Sequence, residues 1–387
     1  MPSIAPEAIR GALYGVRDPE LGDNVVDLGM YQGADIDPET GDVVVHLALT
    51  TAACPLRGQL QHDIEARLSP IPGIGRIKVR TSEMDREQKR ALMERARWKA
   101  RGNAPETEIP GRTQILAVSS GKGGVGKSSV TVNLAAALAA KGFTVGVLDA
   151  DIAGFSIPRM LGMAGTIEAR PAADGSGKKL MEPMVKRVGD GELRVLSMGF
   201  LAGEDEAIMW RGLMLNRGVQ HFIEDAAWGD LDYLIVDMPP GTGDIQMGLA
   251  RLLPRAEMLI VTTPALAAQK VASRAADMAR KGYLRVAGII ENMSGFTCEH
   301  GEHYELFGSG GGQRLADHVG VPLLAQIPLE PQVSAGGDAG MPAALGDGAV
   351  AAAFAQLAER VQLVAPPVVM EDCSARLFDA LDAALGH

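Results

Sequence analysis

The sequence predicts an α/β chain, a doubly wound, mostly parallel sheet preceded by a small α/β domain. Three observations carry that expectation. From Ile115 onward, short apolar runs alternate with helix-like stretches, as strands and crossover helices do in a parallel sheet. The first run, Ile115-Leu116-Ala117-Val118, opens into a glycine-rich turn and then a helical stretch from Ser129 to Lys141. Before all of this, residues 1–80 hold a shorter α/β pattern of their own, separated from the rest by the Gly- and Pro-containing stretch 102–111.

With 387 residues and 47% hydrophobic content, the chain can bury one large core and one small one. The divisions expected are an N-terminal domain over 1–82, a connecting helix and linker over 83–112, the large sheet domain over 113–365 and a helical tail over 366–387. A net charge of −11 argues against a broad, nonspecific nucleic-acid surface or an anionic-membrane surface. No segment reaches the run of about 18 apolar residues that a membrane span needs, and Met-Pro-Ser-Ile-Ala-Pro-Glu is no secretory leader. The expectation is a cytoplasmic protein. Cys54, Cys298 and Cys373 are too few and too scattered for a disulfide scaffold, so each is read as a thiol.

In the N-terminal domain, a helix is expected near Pro6 to Val16, followed by Asp18-Pro19-Glu20 and Val25-Val26-Asp27-Leu28-Gly29. In the segment 42–49, Val43, Val45, Leu47 and Leu49 recur at period two, the pattern of a strand with one face on a core, which leaves His46 on the other face. Leu56, Leu60, Ile64 and Leu68 then mark a helix that begins beside Cys54-Pro55. A thiol there feels the helix dipole, which favours thiolate and makes Cys54 a candidate nucleophile or metal ligand; the other reading is a small buried side chain. The motifs D-P-E, V-V-D-L-G and L-T-x-x-x-C-P resemble, in this order, the small iron–sulfur assembly domain of the SufT/PaaD type, which implies sensitive positions at Asp27 and Cys54. Residues 83–101 are rich in mixed charge and helix formers and read as a solvated connecting helix.

The turn Gly121-Lys122-Gly123-Gly124-Val125-Gly126-Lys127-Ser128 satisfies G-x-x-x-x-G-K-[ST] between a strand and a helix, the context that makes this motif a nucleotide-phosphate cradle. Glycines let successive backbone N–H groups converge on one anion beside the positive end of the helix. The nucleotide-binding set is therefore Gly121, Lys122, Gly123, Gly124, Val125, Gly126, Lys127, Ser128 and Ser129. Lys127 is expected to reach the β- and γ-phosphates, and Ser128 to ligate Mg²⁺.

Lys122, just after the first glycine, makes this form resemble the deviant Walker A class, which includes the MinD/ParA ATPases, the nitrogenase iron protein and the Mrp/ApbC iron–sulfur carriers. The resemblance implies an ATP-dependent homodimer in which Lys122 crosses to the partner's nucleotide. The next strand, Thr144-Val145-Gly146-Val147-Leu148, runs into Asp149-Ala150-Asp151, where ligand sites in such sheets lie. D-x-D-x-x-G-x-S resembles the class's switch I, which implies that Asp149 lies near the metal and Asp151 orients the attacking water. A carboxylate on a mobile loop also suits that task chemically.

Residues 165–192 show no clear period and read as an excursion off the sheet. The stretch from Met209 through Trp228 reads as helical, and by resemblance lies near a dimer face. Tyr233-Leu234-Ile235-Val236-Asp237 is a strand ending in an acid and followed by Met238-Pro239-Pro240-Gly241-Thr242-Gly243-Asp244, so Asp237 is expected to hold Mg²⁺ through water and the loop to act as switch II. D-x-P-P-G-T-G-D resembles the Mrp/ApbC branch in particular. The strand over 286–290 ends in Glu291-Asn292-Met293-Ser294, and resemblance assigns the Asn292 amide, able to donate and accept at once, to the base.

After E-N-M-S that branch carries C-x-x-C, each subunit giving two thiolates to one [4Fe–4S] cluster. Here the text is Cys298-Glu299-His300-Gly301-Glu302-His303, with no second cysteine. Three readings stand: a labile cluster with mixed ligands, including His300, His303 or an outside thiol; another metal on Cys298 and histidine; or a loop that has kept its ATPase without a cluster. The acidic tail, with Leu377, Phe378, Leu381 and Leu385 on one helical face, lacks the basic character of a membrane anchor. The implied function is an ATP-hydrolysing iron–sulfur carrier serving apoproteins or assembly proteins, and the alternative is a regulatory or partition ATPase acting through nucleotide-controlled partner binding.

Overall fold

The computed structural model describes residues 4–18, 23–50, 56–102, 107–151, 154–172, 177–200, 212–241, 244–282 and 284–367. The chain divides into two compact units, Met1–Asn103 and Ala104–His387.

The first unit contains α1 (Pro6–Leu13), β1 (Tyr31–Ile36), β2 (Val43–Leu49), α2 (Arg57–Leu68), β3 (Ile77–Glu83) and α3 (Arg86–Gly102). Its sheet runs β1-β2-β3, with β1 antiparallel and β3 parallel to β2. The period-two positions Val43, Val45, Leu47 and Leu49 are all buried against Leu60, Ile64 and Leu68 of α2. The first helix stops at Leu13, short of Val16, because the Val16 carbonyl accepts the Val25 N–H at 3.0 Å instead of continuing the helical ladder. The charged helix α3 is not solvated all round, since Leu92 is fully buried in this unit's core and Ala96 nearly so.

The second unit begins with β4 (Gln114–Ser120), α4 (Lys127–Ala140), β5 (Thr144–Asp149) and α5 (Ile157–Met160). Four strands follow, β6 (Ala169–Pro171), β7 (Lys179–Met181), β8 (Met184–Val188) and β9 (Gly191–Ser197). Next come α6 (Gly212–Glu224), β10 (Tyr233–Asp237), α7 (Asp244–Leu252), β11 (Glu257–Thr262), α8 (Leu266–Lys281) and β12 (Arg285–Asn292). The hairpin β13 (Phe296–Thr297) and β14 (His303–Tyr304) precedes α9 (Gly311–Val319), β15 (Leu323–Ile327), α10 (Pro331–Ala339) and α11 (Ala349–Val364).

The main sheet has the order β15-β12-β11-β4-β10-β5-β9-β8, parallel throughout except for β8, which pairs antiparallel with β9. Strands such as β4 and β10 are buried along their whole length because helices cover both faces. One face packs on α4 and α11, the other on α6, α7, α8 and α9.

Two expectations need correction. Residues 165–192 are not wholly an excursion, for 184–188 form the edge strand of the main sheet; its alternating half-buried and exposed residues are those of an edge, too short and too charged to announce a strand. The helix expected through Trp228 ends at Glu224, because Asp225 and Ala227 exchange backbone hydrogen bonds with Met181 at 2.8 Å each. Residues 209–211 of that stretch, and the tail from 368 on with Cys373, lie outside the described residues.

Candidate functional site

Three strand ends assemble the site. β4 delivers the glycine-rich turn, β10 ends at Asp237 and β5 at Asp149, and parallel register sets Asp237 beside Val118 on one side and Asp149 on the other. This is the carboxyl end of the sheet, where open α/β folds bind ligands. Gly124 and Gly126 both have φ of 79°, a left-handed conformation that a Cβ penalises. A Cβ on Gly121 would strike the backbone of Val271 and Ala272, and one on Gly126 the Asn292 amide. Val125 is buried and pins the turn between them.

Asp237, 1% exposed, is the centre of the site. Its Oδ2 accepts from Lys127 Nζ at 2.7 Å and Ser128 Oγ at 2.6 Å, and its Oδ1 from Thr131 Oγ1 at 2.7 Å. Asp151 stands 3.8 Å from the same ammonium. Asp149 accepts from Ser197 Oγ at 3.0 Å and from the Asp151 N–H at 3.2 Å. Burial, reinforced by the negative charge of Asp237, pushes the Asp149 carboxyl up to about 7. Asp151 is also raised, by burial first, with Lys127 working against the shift and Asp237 with it. Serine and carboxylate oxygens from Ser128 and Asp237, with Asp149 alongside, form the hard donor set that suits Mg²⁺, an ion that takes one or two carboxylates and completes its shell with water and phosphate. Lys122 is exposed, and its ammonium has no protein partner among the described residues.

A cavity of about 320 Å³ adjoins the turn, lined by Gly126, Ser129, Asn133, Arg159, Asn292 and Glu330 among others. Asn292 donates to the Val125 carbonyl at 2.9 Å, so the strand end expected to read the base does stand against the phosphate turn. Sequence reasoning missed Thr131, Ser197 and the Arg159–Asp338 ion pair beside the cavity. Thr131 was findable, since it lies four residues after Lys127 on one helical face. Ser197 and Asp338 carry no local signal.

The Cys298 region is a hairpin in which the Cys298 N–H bonds the Glu302 carbonyl and the Gly301 N–H the Cys298 carbonyl, each at 2.9 Å. Thr297 faces His303, with Oγ1 and Nδ1 3.3 Å apart, while Phe296 and Tyr304 pair on the opposite face. Cys298 follows the last residue of β13, at the start of the turn that leads to β14. His300 is 80% exposed beside Glu299. Gly301, where C-x-x-C would place a second thiol, has φ of 83°. Among the described residues no three His, Cys, Asp or Glu side chains converge as a metal cage. In the first unit, Asp27 accepts from Asn24 Nδ2 at 2.7 Å within an Asx turn, whereas Cys54 lies outside the described residues.

Comparison with known proteins adds two family matches. Residues 111–362 match the family described as NUBPL iron-transfer P-loop NTPase, and residues 6–80 match the family described as iron–sulfur cluster assembly protein. A protein of Mycobacterium leprae named iron–sulfur cluster carrier protein is 44% identical over 349 residues, covering 87% of each chain. One of the same name from Deinococcus radiodurans is 42% identical over 340 residues, 88% of this chain and 89% of the other. A solved structure from Archaeoglobus fulgidus, described as a nucleotide-binding protein in complex with ADP, is 33% identical with a TM-score of 0.48 over 60% of this chain and 87% of its own.

Proposed function

The chain belongs to the NUBPL iron-transfer P-loop NTPase family, with an iron–sulfur assembly domain ahead of it, and on that premise we propose an ATP-hydrolysing carrier that holds an iron–sulfur cluster and delivers it to apoproteins as a nucleotide-gated homodimer. The observation that carries the reading is the convergence of Lys127, Ser128 and Thr131 on Asp237, with Asp151 3.8 Å from the Lys127 ammonium.

In this reading the N–H groups of 121–126 hold the α- and β-phosphates, with Ser129 at the same helix end, and Lys127 exchanges Asp237 for the β- and γ-phosphate oxygens. Ser128 and Asp237, with Asp149 nearby, hold Mg²⁺, which would neutralise phosphate charge. Asp151, its basicity raised by burial, orients the attacking water and accepts its proton. Asn292 reads the base at the cavity wall. Lys122, free of its own site, reaches the partner subunit's nucleotide, and this makes the dimer depend on ATP. The cluster is cargo, and Cys298 contributes one thiolate per subunit. Its remaining ligands come from elsewhere, since Gly301 supplies none. Among the described residues no helix is long and apolar enough to cross a membrane, and the reading puts the protein in the cytoplasm.

The test is anaerobic reconstitution with iron and sulfide, scoring iron per dimer and visible absorption for the wild type, Cys298→Ala and Cys54→Ala, with ATP turnover measured on the same samples. A cluster kept by the wild type, lost by Cys298→Ala and transferred to an apoprotein on addition of ATP is the expected result. ATP turnover without any iron uptake would replace carriage with nucleotide-controlled partner binding.

A further inference from the structure

Met293 has φ of 58° and is the one residue other than glycine with a left-handed backbone among the described residues. A residue with a Cβ holds that conformation only where its surroundings over-determine it, so the outlier asks what holds it. On its N-terminal side, Asn292 is fastened to the phosphate turn through the Val125 carbonyl. Glu291, fully buried, accepts from Gln326 Nε2 at 2.8 Å and from the N–H of Gly312 in the first turn of α9. On the C-terminal side, the Ser294 N–H bonds the Ile327 carbonyl at 2.9 Å, and the Leu329 N–H bonds the Gly295 carbonyl at 2.7 Å.

These contacts have a common geometry. Met293, Leu329 and Glu330 all line the cavity beside the phosphate turn, and the Met293 methyl lies 3.6 Å from where a Cβ on Gly126 would be. The hairpin carrying Cys298 departs at Gly295, and the chain beyond it returns to the α9 end held by Glu291. One root of the hairpin is therefore tied to Ile327 and Leu329 at the end of β15 and the other to Glu291 near the end of β12, and the left-handed Met293 sits between those ties and the cavity. A backbone that can rest left-handed or extended is a two-state element, which is the physical requirement for coupling two sites.

We propose that Met293 is the joint through which nucleotide in the cavity sets the conformation of the Cys298 hairpin, a positioning role that rests on the nucleotide-gated carrier reading. Base and ribose packed against Leu329 and the main chain at 293 hold the joint in one of its two backbone wells, and the root at Gly295 turns with it. The opposite root stays clamped by Glu291, so the hairpin reorients instead of unfolding. Glycine at 293 removes the conformational bias, because it occupies both wells at similar cost. Alanine keeps the Cβ, and with it the bias, while losing the thioether.

The test is hydrogen exchange of the full-length protein, read on the peptide that contains the Cys298 and Gly301 amides. It is run without nucleotide, with saturating Mg·ADP and with a non-hydrolysable ATP analogue, and binding is measured separately by calorimetry. The wild type should change hairpin exchange by about five-fold or more between nucleotide conditions, the lower end of typical allosteric coupling. Met293→Ala should keep that response, and Met293→Gly should reduce it below about two-fold at saturating nucleotide. Met293→Asn, which tolerates the left-handed well without glycine's added freedom, should lie between them, so that a poorly folding glycine variant does not end the test. A wild-type hairpin that ignores bound nucleotide overturns the joint and leaves the ATPase reading standing. A Met293→Gly response equal to the wild type, or an equal loss in Met293→Ala, overturns it too. Failure of the wild type to bind nucleotide removes the ATPase reading and the joint together.

Discussion

Replacing Thr131 with valine isolates one of the three hydrogen bonds that hold Asp237. The Thr131 hydroxyl is fully buried and has one proton; it goes to the Asp237 carboxylate at 2.7 Å in preference to the Lys127 carbonyl at 3.1 Å. Valine has nearly the same volume and similar helix propensity, so neither a cavity nor a backbone penalty enters. A hydrogen bond to a charged group contributes about 1.5–3 kcal/mol. The methyl that replaces the hydroxyl returns about 0.8 kcal/mol of burial. Thr131→Val should therefore cost about 1–2 kcal/mol of stability in the second unit. Charge assistance roughly doubles such a bond, while the methyl returns the same burial, so in an Asp237→Asn background the same substitution should cost no more than about 0.7 kcal/mol. Urea unfolding read by Trp228, which is completely buried in this unit, with Trp98 and Trp210 replaced by phenylalanine, gives both numbers. A cost of under about 0.5 kcal/mol, the range of ordinary surface changes, or the same cost in both backgrounds would refute the assigned bond.

Three further outcomes are expected. Asp151→Asn should lower ATP turnover by about 100-fold or more while nucleotide affinity stays within a few-fold, and retained turnover would remove Asp151 as the water-orienting base. Asp149 has its carboxyl raised from 3.8 to about 7, so the native state binds a proton that the unfolded chain has released. Stability from this group therefore falls as pH rises through that window, by at most about 1.4 kcal/mol per pH unit. In chelator-treated protein, Asp149→Asn should gain on the wild type as pH rises over the same window, and parallel stability curves would contradict the shift. Lys122→Ala should leave folding and single-chain nucleotide binding in place and abolish nucleotide-dependent dimerisation, read by light scattering; a dimer that still forms with ATP would show that Lys122 does not cross.

Much of the site was legible because its chemistry is written in contiguous residues. A phosphate cradle needs glycines, a lysine and a serine in unbroken order after a strand, and the run from Gly121 to Ser128 could be read without any knowledge of the fold. The paired acids after Leu148 and the acid after Val236 were readable for the same reason: each ends an apolar run, and strand ends carry ligand chemistry in parallel sheets. Legibility failed where local pattern was weak. The edge strand Met184–Val188 includes Lys186 and Arg187 and shows no strong alternation of residue type, and the buried face of α3 is reduced to Leu92 and Ala96 among charges.

Other properties depend on which distant segments meet. Lys127 and Asp237 are 110 residues apart, and only the placement of β10 beside β4 brings them to 2.7 Å. The same holds for Asn292 and Val125, 167 residues apart. The register of the β13–β14 hairpin pairs His303 with Thr297, a fact that the spacing of two histidines and a cysteine does not contain. Residue types and their order suffice for chemistry held within one turn of chain, because bond geometry carries it. Burial, the raised carboxyl of Asp149 and the left-handed Met293 come from strand order and packing, which act between residues that the chain keeps far apart.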